Sequence, residues 1–491
     1  MKRGRGRVCP YLDTVDRSVL DFDYEKLCSV TLSNNNVYAC LVCGKFFRGR
    51  GVGTPAHTHS LDADHHVFLC FANQRVFCLP DDYEVHDHAL DDVKRVLDPR
   101  FTDDDVRVLD AGAPDTLFTR RKRCLTGAQD YLPGFVGLNN LSSTDSFNAV
   151  LQCLAHVPIL RDFFMRSATV SLTEAELGNL AQGAATVLDP DTIAGALGLI
   201  IRKLWSPYNY RAHVSPHELL QIVQRRSKGT FTIGKPMEPL ALLQFLLNEL
   251  RRDLSNVKAP SGSGKRRTVV EEAFQGTVEV TTTHPTSEEL PDPDNKGETI
   301  TVVHDDVKVT RAPFFFLSLD LPQMPLFKEG DDKSFLPQVP IMTLLQKFDG
   351  KKEQLMPNGE RKRYSLLKLP QFLILHIKRF THNNWFLEKN STIVNFPMRH
   401  LDLRGCLHPS AIADNPVTRY SLLTMIKHEG SAEDAAATTT NSSATRSSVV
   451  TAFAKASSGQ WYEMQDLSIR ETIPDLISVS EAYIQIYQLE K

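Results

Sequence analysis

The sequence predicts an α+β protein, with a small Cys- and His-rich module ahead of a larger domain whose helices come early and strands late. Three observations carry that class. Eight of the nine cysteines lie before residue 154, and residues 9–110 are rich in Cys, His and aromatic side chains. Phe147, Val150, Leu151 and Leu154 recur at the spacing of one helix face. Phe314–Leu321 and Phe372–Phe380 are short, nearly continuous apolar runs bounded by proline, as buried strands are. Helices followed by strands, without alternation, argue against repeated strand–helix–strand units.

Composition bounds the rest. The chain has 491 residues, 42% hydrophobic and 23% charged, which fits a globular protein with a substantial core. Lys plus Arg number 56 and Asp plus Glu 59, a formal net charge of −3 that argues against nonspecific polyanion binding by the whole molecule. No run approaches the roughly 18–20 apolar residues of a membrane span, so no membrane association is expected. The N-terminus has basic residues but no apolar stretch behind them, so it does not read as a secretory signal. Nine unevenly spaced cysteines are too sparse for a disulfide scaffold and point to a reducing compartment.

In chain order, Lys2, Arg3, Arg5 and Arg7 stand among glycines as a flexible basic arm. Residues 8–115 form the Cys/His-rich module. Residues 116–132 form a linker with a solvated basic run, Arg120 to Arg123, and residues 133–491 form the larger domain. In that domain Asp145–His156 and Leu240–Leu250 read as helices, and Val479–Tyr487 as a closing strand. Residues 259–267 look like an exposed loop, and 284–298 is rich in Pro and acidic residues. Residues 430–448 are small and polar, and read as a disordered insertion. No internal repeat is found.

The module's chemistry lies in Cys40-Leu41-Val42-Cys43, followed by His59 and His65. A Cys-x2-Cys knuckle lets both sulfurs face one ion, and two imidazoles complete the tetrahedral S2N2 set that zinc prefers. Gly44 fits the tight turn of such a knuckle. His57 competes with His59 for the third position, and His66 with His65 for the fourth. Four protein donors leave no open coordination position, which makes the site structural. Cys9, Cys28, Cys70 and Cys78 have no second Cys-x2-Cys among them and read better as small hydrophobes.

The block YACLVCGKFFRGRG…AHTHSLDADHHVFL resembles the zinc-finger ubiquitin-binding domain of ubiquitin-specific proteases. GLNNLSSTDSFNAVLQCL at 137–154 is similar to that family's nucleophile box. LPQFLILHIKRF at 369–380, NSTIVNFP at 390–397, WYEMQDL at 461–467 and EAYIQIY at 481–487 are similar to its later motifs, in order. The resemblance covers nearly the whole chain and implies a papain-like ubiquitin-specific-protease fold behind one structural zinc. It also implies a degenerate catalytic triad. The nucleophile position is Asp145, the base position Ser448 and the third position Gln465, with Asp466 beside it. No His follows His428 in the chain. A carboxylate can cap a helix N-terminus, but it cannot do a thiolate's work. Cys153 lies eight residues on, roughly 12 Å down the helix, and does not replace the nucleophile.

Within that family, the CPYLDT start, the Asp at the nucleophile position and the segment His213-Val214-Ser215-Pro216-His217-Glu218 resemble the inactive branch that serves as splicing factors. That implies a non-catalytic, nuclear scaffold in pre-mRNA splicing, assembling or maintaining the spliceosomal tri-snRNP. Its implied partners are tri-snRNP proteins including the U5-associated RNA helicase, with snRNA close by. Two other readings are an active thiol deubiquitinase, against which the triad stands, and a ubiquitin-binding adaptor. The adaptor reading rests on Arg50, which aligns with the family's contact to the free ubiquitin tail. Against it, the Cys usual two residues earlier is Arg48.

Overall fold

The structure is a computed structural model that describes residues 9–111, 116–127, 129–167, 187–255, 267–291, 299–323, 337–382, 387–429 and 449–490. The segment 430–448, read as a disordered insertion, and most of 259–267 lie outside the described residues. Two compact units divide the chain: residues 1–266 with 456–470, and residues 267–455 with 471–491.

The first unit opens with a five-stranded antiparallel sheet, in the order β2-β1-β3-β4-β5. Its strands are β1 (Val37–Cys40), β2 (Phe46–Arg48), β3 (Val67–Cys70), β4 (Val76–Cys78) and β5 (Tyr83–Val85), with helix α1 (Pro55–Asp62) between β2 and β3. Successive strand residues point to opposite faces, and both faces here are covered. Ala39, Leu41, Val67 and Leu69 enter one core with Leu20 and Phe22, while Tyr38, Cys40, Phe47 and Phe68 enter the other. Cys9 and Cys78 pack in the first core and Cys70 in the second. Helices α2 (Asp91–Leu97) and α3 (Asp103–Ala111) follow.

The unit continues with α4 (Asp145–Ala155), α5 (Pro158–Arg166), α6 (Ile193–Trp205), α7 (His217–Arg226) and α8 (Pro239–Ser255). Helix α6 is capped by Thr192, whose hydroxyl accepts from Gly195 N–H (3.1 Å), and it is buried along almost its whole length. That burial includes Arg202 and Lys203. Arg202 is 0% exposed and pairs with Asp98 (3.0 Å); Lys203 is 5% exposed and pairs with Asp23 (2.6 Å). Both carboxylates come from the Cys/His-rich region. The strand Trp461–Gln465 also belongs to this unit.

The second unit begins with helix α9 (Val269–Phe274), closed at its start by a reciprocal Thr268–Glu271 capping box. A long hairpin follows, β6 (Gly276–Pro291) and β7 (Thr299–Phe314), extended by β9 (Arg361–Lys368) on the β6 side. Sequence reasoning marked 284–298 only by its Pro and acid content; the structure continues β6 through it to Pro291. The unit's larger sheet runs β8 (Phe316–Asp320), β10 (Phe372–Lys378), β13 (Ala482–Leu489), β11 (Arg419–Glu429), β12 (Val449–Lys455). Its first pair is parallel and the others antiparallel. The apolar runs expected as strands are therefore strands, and the long helices come before residue 267, as an α+β order requires. Among the described residues, no helix is long and apolar enough to cross a membrane.

Candidate metal centre and nucleophile position

The metal cluster is assembled by a turn, a helix end and a short link. β1 ends at Cys40, and the chain turns through Leu41–Gly44 with Gly44 N–H donating to Cys40 O (2.9 Å) and Cys40 N–H to Lys45 O (2.9 Å). Gly44 has φ +73°, and a Cβ there would lie 2.4 Å from Val19 O, so both backbone conformation and space demand glycine. His59 comes from the last turn of α1, with its ring stacked on Phe47 at 4.1 Å. His65 follows in the link to β3.

The four donor atoms lie within 4.8 Å of one another. Cys40 Sγ is 3.6 Å from His65 Nδ1, Cys43 Sγ 3.4 Å from His59 Nε2, and the two imidazole nitrogens are 3.1 Å apart. A tetrahedral zinc has bonds of about 2.3 Å to sulfur and about 2.0–2.1 Å to nitrogen, so its S···N edges are about 3.5 Å and its N···N edge about 3.3 Å. These three edges match a zinc site to within a few tenths of an ångström. A hydrogen bond from Cys40 pulls the Cys43 thiol down to about 4, aided by Lys45 N–H and both imidazoles, while Cys40 is pushed up.

The competing histidines lie outside the cage. His66 Nδ1–H donates to Leu79 O (2.7 Å), its Nε2 meets Asp64 Oδ1 (2.8 Å), and its ring lies against Tyr11. His57 is outside the cluster, which is the only group of three or more candidate metal donors found among the described residues.

At the nucleophile box, the structure makes Asp145 the first residue of α4, with Thr144 preceding it as the cap residue. The expectation of Asp145 as the cap is thus shifted by one position. Thr144 makes no side-chain cap bond. Its hydroxyl accepts from Leu141 N–H (2.9 Å) and lies 3.2 Å from Asn140 Oδ1, as the turn folds in on itself. Ser142 and Ser143 both take positive φ, +84° and +54°, where an L side chain is strained. Gln465 is exposed at the end of its strand. Asp466 makes the contacts instead: Oδ2 accepts from Asn140 Nδ2 (2.9 Å), Oδ1 from Asn148 Nδ2 (2.7 Å), and its carbonyl from Leu138 N–H (2.9 Å). Sequence reasoning noted Asp466 only as the neighbour of Gln465. The two asparagines it anchors, Asn140 and Asn148, were the available signal. Ser448 lies outside the described residues. Arg50 pairs with Asp82 (2.7 Å), and its guanidinium lies 4.1 Å from the centre of the Phe77 ring.

A Cys2His2 cage on a small sheet, ahead of a helix-then-sheet scaffold whose nucleophile-type turn opens a buried helix, defines a zinc-finger protein built on a thiol-hydrolase scaffold. Residues 28–90 match the family described as "Zn-finger in ubiquitin-hydrolases and other protein", and residues 136–487 match "Ubiquitin carboxyl-terminal hydrolase". The chain belongs to the ubiquitin carboxyl-terminal hydrolase family. It is 41% identical to "Ubiquitin carboxyl-terminal hydrolase 39" of Homo sapiens over 99% of this chain and 80% of that protein. It is 35% identical to "Probable mRNA-splicing protein ubp10" of Schizosaccharomyces pombe, over 97% of this chain and 88% of the other. A solved structure, "Crystal structure of an essential yeast splicing factor", superposes with a TM-score of 0.71 at 26% identity, covering 98% of this chain and all of that one.

Proposed function

We propose that this protein is a non-catalytic scaffold of pre-mRNA splicing, which supports assembly or maintenance of the spliceosomal tri-snRNP in the nucleus through protein–protein contacts. The observation that carries the reading is Asp145 at the head of α4. Isopeptide cleavage on this fold needs a thiolate at that point, an imidazole to activate it and a third group to orient the imidazole. The helix N-terminus favours negative charge, so it stabilises a carboxylate there as readily as a thiolate, without supplying a nucleophile. The splicing role is supported by the names of the fission-yeast relative and of the superposed structure. Its partners are then tri-snRNP proteins including the U5-associated RNA helicase, with snRNA near enough for the basic arm to meet phosphates.

One structural zinc held by Cys40, Cys43, His59 and His65 completes the reading. The metal supplies folding energy to the module and takes no part in chemistry. The alternative of a ubiquitin-tail adaptor depends on Arg50. Its guanidinium already holds Asp82, so a tail carboxylate would have to displace one in place, which favours the scaffold.

The test is native pulldown from nuclear extract, with protein and small-RNA content read out, beside a ubiquitin-derived fluorogenic assay. Tri-snRNP proteins and their snRNAs are expected in the eluate, with no turnover. Recovery of ubiquitin conjugates without snRNP components, or turnover lost on mutation of one cysteine, would sink the proposal.

A further inference from the structure

We propose that residues 20–28 form a strap through which the metal knuckle holds in place one wall of an open pocket beside the degenerate nucleophile box; the proposal rests on the zinc reading above. The path begins at the knuckle. Asp16 N–H donates to Leu41 O (3.0 Å), and Val19 O packs so closely on Gly44 that no Cβ fits between them. The chain leading into the strap therefore lies directly on the Cys40–Gly44 turn.

The strap alternates over its first four residues, Leu20 and Phe22 facing inward and Asp21 and Asp23 outward, and then runs outward through Tyr24, Glu25 and Lys26. Leu20 and Phe22 are buried in the core of the strands that carry the cluster, with Phe22 edge-on to Phe71 at 6.0 Å. The outward residues grip α6, α7 and the link between them. Asp21 pairs with Arg211 (2.5 Å), and Asp23 with Lys203 (2.6 Å) and the N–H of Ser215 (2.9 Å). Glu25 accepts from Gln221 (3.1 Å), and Lys26 pairs with Glu218. Between these contacts Tyr24 turns its ring toward His217 (5.7 Å) and forms one wall of a cavity of about 680 Å³. Asn139, Asn140, Asp466 and Arg470 are among the residues around the rest of that cavity.

The ion pair at the middle of the strap makes the coupling strong. Lys203 is buried, and a buried ammonium that loses its carboxylate must be hydrated by local opening or give up its proton, either of which is costly. Asp98 and Arg202 repeat the arrangement at the preceding residue of α6. Small metal modules fold with their ion, so removing zinc takes Phe22 out of its core. The strap then leaves with it, Tyr24 leaves its place beside Asn139 and Asn140, and Lys203 of α6 loses the carboxylate of Asp23 that neutralises it. Zinc thereby acts at a distance on the pseudo-catalytic loop, with no ligand contributed by that loop.

The test is hydrogen exchange on the full chain, with zinc quantified by elemental analysis before and after chelation. Chelation is expected to raise exchange by about tenfold or more in residues 20–28, 137–145 and 193–205, together with 37–78. Residues 372–378 and 482–489 of the second unit should keep their protection. Asp23→Asn should reproduce the gain at 137–145 and 193–205 with zinc retained and 37–78 unchanged, and Tyr24→Ala should raise exchange at 137–145 alone. Exchange confined to 37–78 after chelation, a wild-type pattern in Asp23→Asn, or loss of protection throughout both units would overturn the strap. A purified chain without zinc would sink the metal reading, and the two single variants tell that failure apart because neither needs the ion removed.

Discussion

Asp145 opens α4 at the position we propose for the family's missing thiol, and the loop before it carries a cost that a catalytic loop would justify. Ser142 and Ser143 are both left-handed, a strain of order 1–3 kcal/mol per residue by the usual scale. The Thr144 N–H donates to Asn140 Oδ1, and this bond, with the anchoring of Asn140 and Asn148 by Asp466, holds the loop in that shape. The shape alone does not restore chemistry. We predict that Asp145→Cys will leave hydrolysis of a di-ubiquitin substrate at background. The new thiol gains some thiolate character from the helix but has no imidazole to deprotonate it or to protonate the leaving amine. Ser448→His should also be inactive alone, because the members of such a triad act as a unit. Cleavage by the single Asp145→Cys protein would reveal a base from elsewhere in the chain. At this scale the sequence was informative where spacing is local. Cys40 and Cys43 follow from Cys-x2-Cys. The choice of His59 and His65 over His57 and His66 depends on where α1 ends and on Leu79 O capturing His66, which no spacing rule contains.

Helix α6 shows what an element demands of a distant segment. Its two buried cations are neutralised by carboxylates 104 and 180 residues earlier in the chain. Asp98→Ala should destabilise the first unit by about 3–5 kcal/mol, because Arg202 stays buried after losing its carboxylate. Replacing both, Asp98→Leu with Arg202→Met, should recover most of that loss, since an apolar pair removes the desolvation penalty along with the attraction. Urea unfolding of the single and double variants checks both; equal losses in the two proteins would mean that the pair itself is net stabilising. These pairs were invisible in the sequence, where Arg202 and Lys203 looked like the ordinary basic end of a helix. The β6–β7 hairpin was missed for a different reason. Its turn region is Pro- and acid-rich, and that composition masked the alternating Thr and Val residues of Thr277–Thr283 and Val307–Val309. The run at Phe372–Lys378 was legible because both faces of that strand are covered, and uninterrupted hydrophobicity is the signature of that burial; Phe316–Asp320 buries only the alternate residues Leu317 and Leu319, the period-2 pattern of a strand with one covered face.

Both units of the molecule carry histidines held neutral. Burial pushes His156 in the first unit, and His376 and His428 in the second, down to about 4 from 6.5. His156 Nδ1–H donates to Gln152 O (2.7 Å), and its ring packs against Phe135 and Trp205. The unfolded imidazole binds a proton near 6.5 and the folded one only near 4, so between those values the unfolded state takes up more protons. The stability contributed is therefore complete above pH 6.5 and is lost as pH falls toward 4, up to roughly 3 kcal/mol for a fully buried ring. Urea midpoints of both units should fall between pH 7 and pH 5, and His156→Gln should flatten that dependence in the first unit only; an unchanged slope would remove His156 as its cause. The division into units has one more consequence, in the order of synthesis. The first unit needs residues 456–470, which leave the ribosome about 190 residues after Arg266. At 5–20 residues per second that is a wait of about 10–40 s. During it Asn140 and Asn148 have no Asp466 to hold them, and the nascent loop before α4 is an open client for whatever chaperone attends the exit tunnel.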